Sequence, residues 1–355
     1  MSMAYIIIAL FIMAGMCSLV EHHLKDNQRT TLLIFFLLAL VLAAGLREVG
    51  LDADSDNYEM AYRNYYSPSA TENIEFTFVA ISAFFNLFTK DVHLLFLTYA
   101  LLGVGLKLLT IRKTTDLVFL SVATYICYYF CVHEITQMRT GVLSGFFLLS
   151  LYFLAEGKRK IAFLLVAIGS CFHVSGLVLL PILLLKGKIF SRKGKIFWSC
   201  IIPAGYVIYL VGVGILLMLD IPLIGAKLAS YQQAENTGQY GAGVNVLGPL
   251  YLLNVAIFYY LMYFSDTITQ RNKYFPLLMK VFALGMCAFA ALSFVTVIAL
   301  RVSLLMRIVS VLLFPFIAYT IKPKWAGVAV VLLLDFIYMN YGLGYIDFQL
   351  LWKLG

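Results

Sequence analysis

Arg47, Asp52, Asp54, Asp56 and Tyr58 crowd into one polar stretch, Leu46-Arg-Glu-Val-Gly-Leu-Asp-Ala-Asp-Ser-Asp-Asn-Tyr58, directly after a long apolar run. Three alternating aspartates could begin a calcium loop. That reading fails, because no glycine stands at the sixth position and Arg63, not a glutamate, stands at the twelfth. What the stretch offers instead is a cation among carboxylates. Arg139, Arg301 and Arg307 likewise fall at the margins of apolar runs. A guanidinium in that setting suits an anionic ligand, since its planar fork grips phosphate or carboxylate through two hydrogen bonds and it stays ionised. Group transfer with an anionic leaving group needs such cations, together with a base for the proton of the attacking hydroxyl. The candidate bases are the carboxylates of Asp54 and Glu75 and the imidazole of His173, with His133 as a substitute.

Each arginine also has a plainer reading, in which it pairs with a nearby carboxylate such as Glu48 or Glu134 or reaches out to lipid headgroups. Asp335 reads as the single acidic residue within a membrane span, with a hydrogen-bond clasp to another helix as its expected role.

The elements that must position these residues follow from composition. Of 355 residues, 62% are hydrophobic and 12% charged, which excludes an ordinary soluble domain. A bilayer core of about 30 Å takes roughly 20 apolar residues as a helix. The sequence predicts an all-α polytopic membrane protein, one integral membrane domain over 1–355, with about ten crossings: 3–20, 31–46, 92–111, 117–132, 139–155, 197–219, 246–264, 277–299, 302–320 and 325–342. The first run lacks a basic flank and a small-residue cleavage site, so it reads as a retained helix. All six cysteines lie in or beside apolar runs without a CxxC pattern and read as reduced core packers. The net charge of +8 reflects basic loops that fix orientation, so nucleic acid is not an expected partner.

Counting Lys and Arg gives the sidedness. Clusters at 25–29, 107–113, 158–160, 186–195, 271–273 and 322–324 hold 17 of the 26 basic residues and are assigned to the cytoplasm. Twelve of the 18 acidic residues then fall outside, as do Arg47, Arg63, Arg139, Arg301 and Arg307. Residues 71–88 are apolar but would invert the charge pattern as a crossing, so they read as a helix lying on the outer interface. Residues 161–185 join two basic loops in too few residues for two full spans. They are expected to form a re-entrant helical hairpin with His173, Ser175 and Gly176 near its tip. The outer loops are 47–91 and 220–245, the second amide-rich with Tyr231 and Tyr240 suited to stacking on sugar rings.

Arg47, Gly50 and Asp54-Ser55-Asp56-Asn57-Tyr58 resemble the opening motif of the EpsG/Wzy-type polysaccharide polymerases, which join O-antigen, capsule or exopolysaccharide repeat units. Glu75-Phe76-Thr77-Phe78, Gln137-Met138-Arg139, Cys171-Phe172-His173-Val174-Ser175 and Arg301-Val302-Ser303-Leu304 resemble later elements, in family order from about residue 40 to 320. Thr140 and Leu305-Met306 depart from the family pattern. Metal independence is expected because the outer arginines supply counter-charge and the acidic motif lacks a complete ligand set, and the resemblance implies a GT-C-like membrane glycosyltransferase without a cofactor. It would transfer a growing glycan from undecaprenyl diphosphate to a sugar hydroxyl of a new lipid-linked repeat unit at the outer face of the bacterial inner membrane. For that leaving group, Arg47, Arg139, Arg301 and Arg307, all at the outer boundary in the charge-based sidedness, are the expected lipid-diphosphate ligands, and Arg139 and Arg301, each opening an outer span within a motif-like segment, are expected to converge on one cavity. By the same resemblance Tyr58, Gln137 and Asp56 contact substrate, while His173, Asp54 and Glu75 are the catalytic candidates. A chain-length regulator and a flippase are the implied protein partners. An O-antigen ligase, another lipid-linked glycosyltransferase, or a lipid-linked-sugar flippase would share much of this composition.

Overall fold

Apolar runs fold as helices in lipid because the bilayer core offers backbone N–H and C=O groups no partner outside the chain. Every regular element among the described residues is helical in this computed structural model, which describes residues 3–71, 74–216, 245–293, 295–346 and 348. Among the described residues, eight helical segments are long and apolar enough to cross a membrane. The remaining two expected crossings, 246–264 and 277–299, are shorter apolar helices of 15 and 17 residues, Pro249–Tyr263 and Phe275–Ala291. The protein is therefore an all-α polytopic membrane protein, as the composition predicts.

The chain packs as two compact units, residues 1–186 with 311–355, and residues 187–310. The first contains α1 (Met3–Val20), α2 (Asp26–Gly45), α3 (Ser55–Arg63), α4 (Pro68–Thr71), α5 (Phe76–Phe85) and α6 (His93–Thr114). It continues with α7 (Val118–Thr124), which runs on as a π-helical stretch over Tyr125–Thr136, then α8 (Met138–Ala155) and α9 (Arg159–Phe172). Helix α6 packs between α2 and α8, and α8 against α9. Ile161, Phe163, Leu164 and Ile168 on α9 are exposed while Ala162, Val166 and Gly169 are buried. Such an apolar outer face needs lipid to cover it.

The predicted hairpin has its break at His173, whose extended backbone (φ −157°, ψ 124°) ends α9 before a 3₁₀ segment, Val174–Leu184. The two limbs pack against each other. Gly176 permits the approach: a Cβ there would strike the Ser170 hydroxyl and stand 3.0 Å from the Ser170 Cα. Helix α5 is only 10 residues long and exposes Phe76 and Phe84.

The second unit contains α10 (Arg192–Leu216), α11 (Pro249–Tyr263), α12 (Ser265–Arg271), α13 (Phe275–Ala291) and α14 (Thr296–Arg307). Helix α13 packs against α10 and α14. Arg301, expected just ahead of a span beginning at 302, lies inside α14, because that helix starts at Thr296. After α15 (Ser310–Leu313) comes α16 (Lys324–Leu343), which packs on α7 and the π-helical stretch. There Asp335 accepts from Thr124 Oγ1 at 3.0 Å and lies 3.8 Å from Cys127 Sγ, the clasp expected of it. All six cysteines are free. Cys127 and Cys131 are buried core packers, whereas Cys200 is exposed on α10.

Candidate functional site

The turn after α2 is built around one carboxylate. Asp52 Oδ1 accepts from the backbone N–H groups of Asp54 and Ser55 at 3.0 and 3.1 Å, which satisfies donors left open at the start of α3. Its Oδ2 accepts from Arg47 Nε at 3.1 Å, and both side chains are fully buried. Ser55 Oγ accepts from the Gly50 N–H at 2.9 Å, and Gly50 adopts φ +88°, which glycine takes without steric cost. Arg47 also donates to the Ala44 carbonyl at 2.7 Å and lies 3.9 Å above the Phe96 ring. Its carbonyl meets His93 Nε2 at 3.0 Å, and His93 Nδ1 meets Asp91 at 2.5 Å. Burial lowers the pKa of Arg47 and the adjacent Asp52 pulls it back up, so the guanidinium remains charged.

Arg139 and Glu75 meet at a more open place. Arg139 Nη1 donates to Glu75 Oε2 at 2.5 Å, with side-chain exposures of 18% and 14%. The other oxygen, Oε1, accepts from the Val174 N–H at 3.0 Å, and Thr77 Oγ1 donates to the Cys171 carbonyl at 2.6 Å. Glu75 thereby joins the start of α5, the start of α8 and the hairpin tip. Tyr58 lies beside this junction, with the Arg139 guanidinium 5.7 Å from its ring centroid. Burial, followed by the charge of Asp54, pushes the Tyr58 hydroxyl up to about 12, so it serves as a neutral hydrogen-bonding group at ordinary pH. Tyr58, Phe78, Tyr99 and Phe172 form a chain of ring contacts under the junction, with centroids about 6 Å apart.

The structure thus gathers Arg47, Tyr58, Glu75, Arg139 and the His173 tip in one region of the first unit, with Asp54 close enough to Tyr58 to influence it. His173 Nδ1 accepts from the Ser175 N–H at 3.2 Å, so its neutral ring carries the proton on Nε2 and presents a donor there. Gln137 uses its backbone N–H to close the π-helical stretch onto the Val132 carbonyl at 2.9 Å. Asp56 is exposed on α3. Arg301 and Arg307 belong to the second unit. Arg301 is exposed, while Arg307 is buried with its guanidinium 5.4 Å from the Phe289 ring centroid. The expected loop 220–245 lies almost wholly outside the described residues.

Three expectations need correction. The partners of Arg47 and Arg139 are Asp52 and Glu75, not Glu48 or Glu134. Lys107 does not belong to a cytoplasmic cluster: it faces the interior of the bundle and pairs with Glu134 at 2.5 Å, both side chains fully buried. Asp335 is not the only carboxylate within a span, since Glu134 lies inside the segment Val118–Thr136. The signal for Lys107 was available in its spacing, as it stands well before Arg112 on an apolar helix of 22 residues.

Residues 30–353 match the EpsG family. The chain is also 23% identical over 317 residues to the amylovoran biosynthesis protein AmsC of Erwinia amylovora, an alignment covering 84% of this chain and 82% of that protein. No solved structure matches it.

Proposed function

We propose, from the premise that the chain belongs to the EpsG family, that it polymerises an extracellular polysaccharide from lipid-linked repeat units. The relative AmsC, by its name, serves the biosynthesis of amylovoran, which supports a polysaccharide product here. In the reaction, an acceptor sugar hydroxyl attacks the anomeric carbon of the growing glycan. A new C–O bond forms there as the bond to the lipid diphosphate breaks. The diphosphate leaves with the electron pair, and the hydroxyl proton passes to a base.

The observation that carries this reading is the Arg139–Glu75 pair, a cation and a carboxylate held side by side and only partly buried. An anion arriving at Arg139 competes with Glu75 for the guanidinium. Arg139 then stabilises the charge that develops on the diphosphate, and Glu75, released from the pair, takes the hydroxyl proton. Tyr58 orients the guanidinium from below. Arg301 and Arg307 receive a diphosphate-binding duty on the same chemical grounds, tested separately by Ala substitution. The reading puts this chemistry at the outer face of a bacterial inner membrane, with undecaprenyl diphosphate as carrier and a flippase and a chain-length regulator as partners.

Deleting the gene and separating the surface glycan by gel tests the function. Single repeat units at the surface are expected. A complete absence of surface glycan would make the protein a flippase, and polymer left on its lipid carrier would make it a ligase. Purified Glu75→Gln protein supplied with lipid-linked repeat units should bind them and fail to extend them. Extension at the wild-type rate would remove Glu75 from the base role.

A further inference from the structure

Lys107 lies 14 residues past the start of α6, about 21 Å along its axis, and is wholly enclosed. Its ammonium donates to Glu134 Oε1 at 2.5 Å and to the Gly141 carbonyl at 2.7 Å, with the Gly103 carbonyl at 3.5 Å. An ammonium has three N–H donors, and each faces an oxygen from a different helical segment. The surroundings are shaped to admit the pair. A Cβ at Gly103 would collide with the Glu134 carboxylate. One at Gly141 would stand 2.5 Å from the His133 carbonyl and 2.9 Å from Glu134 Oε2. His133 Nδ1 meets Ser144 Oγ at 3.1 Å, and that hydroxyl donates to the Gly141 carbonyl at 2.8 Å. Two consecutive residues of the π-helical stretch are therefore fastened to the first turns of α8, whose second residue is Arg139.

Stability alone does not account for this arrangement. A buried ion pair replaced by apolar groups of similar volume commonly leaves a protein as stable or more so, and ionisable groups inside a membrane are costly. π-Helical geometry is uncommon and concentrates at functional sites.

We infer that Lys107 and Glu134 are positioning residues that fix the start of α8 against α6, and so fix where the Arg139 guanidinium stands. The activity readout rests on the polymerase reading. The test is the double variant Lys107→Met/Glu134→Gln, purified and supplied with lipid-linked repeat units. It should fold, with kcat for chain extension lowered about 10- to 100-fold and KM within about threefold, since a shift near 1 Å in a transition-state contact costs that much. In an Arg139→Ala background the same double substitution should cause no further loss. Wild-type kcat, or a full additional loss in that background, would overturn the inference. Should the double variant not fold, Glu134→Asp keeps the charge and withdraws the carboxylate by one methylene. It should fold and lose about tenfold in kcat, and wild-type turnover there would overturn the inference equally. If the wild-type protein itself extends no chains, the polymerase reading falls and hydrogen exchange decides the positioning role alone. Amides of 136–141 should exchange faster in the double variant, and unchanged protection would refute it.

Discussion

Arg47–Asp52 and Arg139–Glu75 are both guanidinium–carboxylate pairs in the first unit, yet they differ in what surrounds them. The first has no exposed surface, and the oxygens of Asp52 are divided between the guanidinium and the start of α3. The second is partly open, and the oxygens of Glu75 are divided between Arg139 and a hairpin tip. A pair closed to water cannot exchange partners without leaving a bare buried charge. A pair open to water can, because solvent or an arriving anion compensates whichever partner is released. The first therefore builds the turn that carries the motif, and the second is suited to binding.

The comparison breaks most visibly if Arg47→Ala folds normally. That substitution strands Asp52 in the interior and should cost about 3–5 kcal/mol, seen as loss of monodisperse protein or a steep fall in melting temperature. Arg139→Ala should instead leave folded protein in the membrane and lower chain extension by about 10²- to 10³-fold, the scale for removing one donor to a developing anion. Arg139→Lys should recover little of that activity, because it lacks the two-pronged fork. If Arg139→Ala unfolds as readily as Arg47→Ala, the distinction between the two pairs disappears. Arg63 and Glu59 extend the series to the exposed limit, with Arg63 showing 57% side-chain exposure. Arg63→Ala should change stability by no more than about 0.5 kcal/mol in a thermal melt.

The smallest expected effect is that of EDTA on chain extension, which should be nil, because the arginines supply the counter-charge and the Asp52 oxygens are already engaged. Activity lost in EDTA and restored by Mg²⁺ would transfer Asp54 and Asp56 to metal binding.

Helix lengths and most spans were legible in the sequence because a bilayer imposes a length that composition must meet. Arg139, Glu75, Tyr58 and the His173 tip could be named as well. Their meeting could not, since 64 residues separate Glu75 from Arg139 and periodicity does not report tertiary proximity. Asp52 was visible as a residue but not as the acceptor that closes the turn before α3, although an Asp side chain accepting from backbone N–H groups two and three residues on is a recognisable turn arrangement. Lys107 was misplaced for a specific reason. Charge counting scores a lysine by its position along the chain, whereas its role here depends on which face of α6 it occupies and on Glu134, 27 residues further on.

The clasp between Thr124 and Asp335 spans 211 residues of sequence, and that separation matters during biogenesis. At ribosomal elongation rates of about 5–20 residues per second, roughly 10–40 s pass between synthesis of the two partners. Through that interval the entire second unit is made, while the first still lacks its last helix. Asp335 therefore enters the membrane as a buried carboxyl group whose hydrogen-bond partners were inserted long before, so the clasp forms only once α16 has joined the first unit.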